Sequence, residues 1–287
     1  MRADRAEIDP ASAPLAILAG GGSFPRLVAE AAERCGRPVT IFAIRGEADR
    51  SIEAFPHRWI GRGQFGALFR GMRRAGARDL CIIGGIRDRR LPRLSEIDLT
   101  GILMVIRNRR ILFQGDDGLL RKLARIFEAR GLRVVGADEI APDLLIPLGP
   151  LGHRVPAPRD EADIAVGFAA ARAHGAADLG QAVIVVAGEV VAREGADGTD
   201  AMIARFGEAR MLLDEPSGVL VKCAKPIQDR RFDLPAIGPA TVLGVARAGL
   251  AGLAVEAGSA LVADVGLTVE VADTRGVFVA GIAGETR

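Results

Sequence analysis

The sequence predicts an α/β chain of two domains, a parallel layer in its N-terminal part and a second α/β (α+β) domain of different order behind it. Two observations carry that expectation. Leu15–Ala19, Pro38–Ile44 and Leu80–Ile83 are short and almost wholly apolar, as strands buried on both faces of a parallel sheet must be, and helical patterns separate them. Between Asp138 and Pro158 that rhythm stops, and Pro142, Pro147, Pro150, Pro156 and Pro158 give the stretch the composition of a semi-rigid linker. The expected domains are residues 1–140 and 159–287, joined by a proline-rich linker over 141–158.

Leu15–Ala19 is the first strand. Gly20-Gly21-Gly22-Ser23 turns the chain, and Phe24-Pro25 opens a helix whose Leu27, Val28, Ala31 and Ala32 share one face before Gly36 ends it. Pro38–Ile44 follows as the second strand. Phe65, Leu68, Phe69 and Met72 fall at helical spacing, closed by Gly76, and Leu80–Ile83 runs as a strand into Gly84-Gly85. Ile102–Phe113 and Leu119–Ala129 read as helices and Arg133–Val135 as a last strand. Strands alternating with helices in this way build a right-handed parallel layer of Rossmann type. Beyond the linker, Asp160–His174 reads as an alanine-rich helix capped at or beside Asp160, Gln181–Arg193 as a strand pair or one long strand, and Ala201–Phe206 as a helix. Val219–Val221 leads into a charged segment. Thr241–Gly252 reads as a helix, and Ser259–Val265, Leu267–Val271 and Val277–Ile282 as closing strands.

Composition narrows the function classes. Hydrophobic residues make up 49% of the 287 and supply ample core, while 38 basic against 36 acidic side chains leave a net charge of only +2. That balance lacks the basic field of a nucleic-acid binder, and an aromatic content of 4% without tyrosine leaves few platforms for stacking bases. Cys35, Cys81 and Cys223 are odd in number and far apart, which suits neither a disulfide framework nor a zinc site and points to a reducing cytoplasm. His57, His153 and His174 are equally scattered. The charged tail Met1–Pro14 has no apolar core of a signal peptide, and the longest apolar run, Ala182–Ala187, soon meets Glu189, so no membrane span is expected.

The densest chemistry lies in Lys222–Gly238, where Lys222, Lys225, Arg230, Arg231, Asp229 and Asp233 are framed by Pro226, Ile227, Phe232, Leu234, Pro235 and Ile237. Carboxylates that hold a divalent cation, beside cations that clamp phosphate oxygens, suit phosphoryl transfer; a solvated loop whose charges pair is the alternative. Gly20-Gly21-Gly22-Ser23, after a strand and before a helix, either cradles an anion or is a tight turn needing positive φ. It lacks the spaced glycine fingerprint, and no acidic residue ends the second strand, which argues against a nicotinamide cofactor. Gly84-Gly85 can line the same crevice. Asp116-Asp117 in Gln114–Gly118 read as a helix cap more readily than as metal ligands. Gly198-Thr199-Asp200 divide likewise between a cap and a phosphate contact, Glu189 and Glu194 between carboxylate partners and solvent. Arg87–Arg90 and Arg107–Arg110 read as solvated faces, with phosphate or anionic lipid as the second choice.

Ala19–Pro25, Gln114–Leu120, Arg193–Asp200 and Lys225–Pro235, in this order and spacing, resemble the LpxI-type UDP-2,3-diacylglucosamine pyrophosphatases over nearly the whole chain. One departure is Ile227, where that family more often has glycine. The resemblance implies a Gram-negative lipid A enzyme that hydrolyses UDP-2,3-diacylglucosamine to 2,3-diacylglucosamine 1-phosphate (lipid X) and UMP with Mg²⁺ or Mn²⁺. It also implies a Rossmann-like N-terminal domain, a C-terminal domain peculiar to the family, and a homodimer.

On that footing Asp233, with Asp229 as second candidate, holds the metal or orients the water, and Lys225, Arg230 and Arg231 clamp phosphate oxygens. Gly198, Thr199, Asp200 and Gln228 complete the substrate contacts, and Gly20, Gly21, Gly22, Ser23, Gly84 and Gly85 face the nucleotide. Leu243–Leu253 is the candidate acyl-chain slot. The expected location is cytoplasmic, with transient contact at the inner-membrane surface. The rival readings are a nucleotide-sugar or sugar-phosphate transferase and a non-catalytic lipid- or nucleotide-binding module, with a dinucleotide-dependent oxidoreductase behind both.

Overall fold

A computed structural model describes residues 12–88, 90, 92–93, 96–107, 116–209, 216–226 and 229–284. They form two compact units: the described residues up to Pro142 together with Asp229–Asp233, and those from Asp143 onward without these five.

The first unit is a parallel sheet of β1 (Leu15–Ala19), β2 (Val39–Ile44), β3 (His57–Ile60), β4 (Asp79–Ile83) and β5 (Arg133–Val134), in the order β3-β2-β1-β4-β5. Its helices are α1 (Phe24–Arg34), α2 (Phe65–Arg74), α3 (Leu99–Arg107), α4 (Asp116–Glu128) and the single turn α5 (Ala137–Ile140). Ala16, Phe42, Leu68, Leu80 and Phe127 are buried together at one face of the sheet, and Phe232 packs against them. Strand order reverses between β1 and β4, so the loops leaving these neighbours open a crevice at the carboxyl end. At the opposite end Asp79, 3% exposed, accepts from Arg37, itself 8% exposed, and from Arg133 Nε and Nη2 at 3.0 and 2.6 Å. Arg37 also donates to the Ala13 carbonyl at 2.6 Å, which ties the entry to β1 to this ion cluster.

The second unit opens with β6 (Gly149–Pro150) and α6 (Pro158–Ala176), then continues through β7 (Ala182–Val186), β8 (Glu189–Arg193), α7 (Gly198–Ala209) and β9 (Val219–Lys222). It closes with β10 (Ala236–Ile237), α8 (Pro239–Arg247), β11 (Gly252–Glu256), β12 (Leu261–Val262), α9 (Val265–Arg275) and β13 (Phe278–Ile282). The main sheet runs β6-β13-β11-β9-β7-β8, with β9, β11 and β13 parallel and β6, β7 and β8 antiparallel to their neighbours; β10 and β12 pair separately. Alternate residues bury opposite faces. Ile184, Leu220, Leu253 and Val279 meet Val242, Val245 and Ala272, while Val183, Val221, Ala254 and Phe278 meet Ile164 and Ala171. Asp160 caps α6 from its first turn, accepting from the Ala157 amide at 2.9 Å.

Both units are thus α/β as the apolar strands predict, but several elements differ from the sequence reading. β3 is an edge strand too short and polar to register. Thr241–Gly252 ends as a helix at Arg247, and Gly252 instead opens β11. Leu267–Val271 is not a strand but the middle of α9: it buries Thr268 and Ala272, one helical turn apart, and leaves Val265 and Leu267 exposed. Ile102–Phe113 shifts to Leu99–Arg107, its later residues lying outside the described ones. The proline-rich stretch holds α5, a short 3₁₀ turn at Pro142–Leu144 and β6, which pairs with β13.

Cys81 and Cys223 are buried, and burial pushes each thiol up to about 12, whereas Cys35 is exposed. Thiolate is the reactive form. Titration of the native protein with Ellman's reagent at pH 8 should therefore release one rapid equivalent, abolished by Cys35→Ser. Rapid release of a second equivalent would contradict the burial.

Candidate active site

The first unit gathers its glycine loops at the carboxyl end of the sheet. Gly20 donates to the Ile83 carbonyl at 2.9 Å, and Gly21 and Gly85 exchange amide-to-carbonyl bonds of 2.8 and 3.0 Å, stitching the turn after β1 to the turn after β4. A Cβ on Gly20 would lie 2.5 Å from the Gly84 carbonyl oxygen, and Gly84 itself holds φ at +98°, so neither position accepts a side chain without moving backbone. The Gly22 amide donates to Asp49 Oδ2 at 2.7 Å. Glu47, 7% exposed, receives the amides of Arg87 and Asp88 at 2.7 and 3.1 Å. Gly20–Ser23 and Gly84-Gly85 therefore do sit together, but a carboxylate already occupies the Gly22 amide, and an anion there would meet its repulsion. The arrangement suits neutral hydroxyl or base edges better than a phosphate.

The charged segment makes a compact turn on the same unit. Phe232 and Asp233 donate their amides to the Asp229 carbonyl at 3.0 and 3.2 Å, and the Phe232 ring packs on the core. The Asp229 carboxylate accepts from Arg231 at both oxygens, Nε to Oδ1 at 2.9 Å and Nη2 to Oδ2 at 2.8 Å; this fork holds its carboxyl below the usual carboxylate range and raises the Arg231 guanidinium. Arg231 Nη1 donates to Glu128 Oε1 at 2.9 Å, and its guanidinium carbon lies 5.2 Å from the Phe232 ring centre. Arg230 reaches Asp138 Oδ2 through Nε and Nη2 at 3.2 and 3.1 Å. Arg231 is accordingly a strut of the turn. Asp233 is half-buried at its end.

In the second unit the carboxyl end of β9 leads through Lys222, whose Nζ donates to the Ala236 carbonyl at 3.1 Å, to Lys225, whose Nζ donates to Asp178 Oδ1 at 2.9 Å. The Ala224 amide donates to Glu256 Oε2 at 3.1 Å. Glu194, 8% exposed, organises the same end: Gln181 donates its amide at 2.7 Å and Thr199 its hydroxyl at 2.9 Å, while His174 Nε2 lies 2.7 Å from the Glu194 carbonyl. Thr199 is thereby committed to Glu194, and Asp200 beside it is exposed. Gln181 Oε1 is buried without a partner among the described residues. Such an acceptor is rare unless something else satisfies it.

Residues 14–144 match the family model of the LpxI N-terminal domain, and residues 147–280 that of the LpxI C-terminal domain. The chain belongs to the LpxI family. It is also similar to the UDP-2,3-diacylglucosamine pyrophosphatase LpxI of Caulobacter vibrioides, with 37% identity over 284 residues, covering 95% of this chain and 99% of that protein. The four segments on which the sequence resemblance rests all fall within the matched residues. Of these, Gln114-Gly115 and Ile227-Gln228 lie outside the described residues, as do Asn108–Arg110 and Arg89 of the arginine runs.

Among the residues singled out from the sequence, Lys225, Gly198, Thr199 and Asp200 belong to the second unit and Asp229–Asp233 to the first. Sequence reading missed Asp138 and Glu128 as partners of Arg230 and Arg231, because those pairs span 92 and 103 positions. It also left Glu194 divided between partner and solvent. Its position five residues before a threonine at a helix start was the only available signal.

Proposed function

We propose that this chain hydrolyses the pyrophosphate bond of UDP-2,3-diacylglucosamine, giving lipid X and UMP in lipid A synthesis. The observation that carries the reading is the end-to-end similarity to the Caulobacter vibrioides pyrophosphatase. The charged turn supports it with the residue types that the reaction needs.

Water attack on a pyrophosphate needs cations at the non-bridging oxygens and a group that aligns the water with the leaving oxygen. Arg230 is the proposed clamp in the first unit and Lys225 in the second; a carboxylate is among the partners of each, and substrate phosphate would compete for it. Arg231, locked between Asp229 and Glu128, keeps the turn rigid so that Asp233 is presented in one orientation. Asp233 accepts the proton of the attacking water or fixes its direction. Gly20–Ser23 and Gly84-Gly85 offer backbone groups suited to the uridine or ribose.

Among the described residues no three His, Cys, Asp or Glu side chains converge as a protein-built metal cage. Mg²⁺ on a pyrophosphate needs none, since it takes one or two carboxylates and completes its shell with phosphate oxygens and water. Asp233 is the proposed ligand ahead of Asp229, both of whose oxygens accept from Arg231. Bound there, the ion would neutralise charge developing on the phosphates.

UMP release from UDP-2,3-diacylglucosamine by the purified chain, with and without Mg²⁺ or Mn²⁺, tests the reading. Metal-dependent release is the expected result. Folded protein that releases no UMP overturns it, and release only with an added sugar or phosphate acceptor would make it a transferase.

A further inference from the structure

We infer that one surface of the first unit, formed by α2, α3 and the turn after α4, docks on an anionic phospholipid bilayer. The docking face has an apolar part and a cationic part. On α3, Leu99, Ile102 and Leu103 fall at positions i, i+3 and i+4 and so share one side of the helix, and they are 72%, 36% and 51% exposed. The opposite side holds α3 to the unit. Gly101 is buried within 2.5 Å, measured from an added Cβ, of the Gly63 carbonyl, and Asp98 accepts from the Gly101 and Ala67 amides at 2.8 and 3.1 Å. A helix seated by its small and polar side, with three large aliphatics turned to water, has the pattern of an interfacial helix.

The cationic part adjoins it. A Cβ on Gly66 would lie 2.7 Å from Thr100 Oγ1 of α3 and 3.2 Å from Arg70 Nη1, which brings Arg70 beside α3. Arg70 in turn lines a cavity of about 570 Å³ with Arg73, Arg78 and Arg130, floored by Phe69 and Leu132, and among the described residues no carboxylate lines it. Arg130 is fixed in place, its guanidinium 4.0 Å from the Phe69 ring centre and its Nη1 donating to the Ile126 carbonyl at 2.9 Å. Arginines at the ends of α2 and α4 also complement helix dipoles, but that accounts for single residues and not for four converging on one apolar-floored cavity. Guanidinium groups suit lipid phosphates because they bind them bidentately, and aliphatic side chains beside them enter the headgroup boundary. Charge complementarity therefore selects an anionic bilayer over a neutral one or a second copy of the chain.

The test is co-sedimentation of the full chain with phosphatidylcholine vesicles, with and without phosphatidylglycerol, in the absence of substrate. Binding should require the anionic lipid and fall at high salt, as screened attraction does. Arg70→Gln with Arg73→Gln, and separately Leu99→Ser with Leu103→Ser, should each weaken it about tenfold or more. UMP release from detergent-dispersed substrate should stay at the wild-type rate, since none of these residues is assigned to hydrolysis. Equal binding to neutral vesicles, or wild-type binding by both folded variants, overturns the inference. So does a leucine variant that keeps vesicle binding but loses self-association in sedimentation velocity, since the face would then join two copies. Vesicle binding is read without turnover, so its failure and that of the hydrolase assignment are separate results.

Discussion

Asp233→Ala should lower kcat for UMP release by about a thousandfold, the cost of removing several kcal/mol of transition-state stabilisation by a metal-bound or water-orienting carboxylate. Affinity for UMP should stay near wild type, because the phosphate clamps and the glycine loops are intact. Circular dichroism should be unchanged, since the turn is closed by the amides of Phe232 and Asp233 on the Asp229 carbonyl, which alanine preserves. Asp229→Asn is the necessary comparison. It removes the charge that holds Arg231 but leaves an oxygen able to accept one of its bonds, so kcat should fall by about tenfold or less. If Asp229→Asn matches Asp233→Ala in depth, the division of labour between the two carboxylates is wrong. Single-turnover kinetics with both variants decide the matter.

Asp79→Ala should destabilise the first unit by about 3–5 kcal/mol, because it leaves the buried Arg37 guanidinium without its counter-charge. Arg133 suffers less, its side chain being 51% exposed and able to turn to water. The single tryptophan, Trp59, lies in β3 of the same sheet, so its fluorescence follows this unit through urea unfolding. A two-unit chain is not expected to unfold in one step, which makes a local reporter the proper measurement. Replacing both partners, Asp79→Leu with Arg37→Met, should recover most of the loss, since apolar side chains of similar volume often substitute for a buried ion pair. A drop under about 1 kcal/mol for Asp79→Ala, the size of a surface pair, would mean that water reaches the cluster.

The parallel layer was legible because β1, β2 and β4 are buried on both faces, and continuous apolar runs have few other uses. β3 was not: His57 and Arg58 belong to a four-residue edge strand, where one side needs no apolar cover. α9 misled for the opposite reason. Leu267, Val269 and Val271 alternate with polar residues as a strand would, yet the helix buries Thr268 and Ala272, so the residues that mattered were the small ones. Gly252 was absorbed into the preceding helix because the gap between Arg247 and β11, Ala248-Gly249-Leu250-Ala251, holds no polar residue to mark a break.

The charged turn was visible as chemistry but not as geometry. Charge density within Lys222–Gly238 located it, and the alternative of charges that simply pair is part of what the structure holds. Asp229 and Arg231 neutralise each other two residues apart, in a turn with no period to betray the contact. Thr199 was read between a cap and a phosphate contact, and the bond from its hydroxyl to Glu194 was not foreseen.

The first unit includes five residues, Asp229–Asp233, that the chain reaches only after building most of the second. During synthesis its sheet can form early, but the side chain of Phe232 and the partners of Asp138 and Glu128 emerge from the ribosome far later. A nascent chain stalled near Pro142 would carry an unfilled apolar site and two carboxylates awaiting arginines. Completion of this unit is thus timed by translation of its neighbour, and the turn proposed to carry catalysis is the last piece of it to arrive.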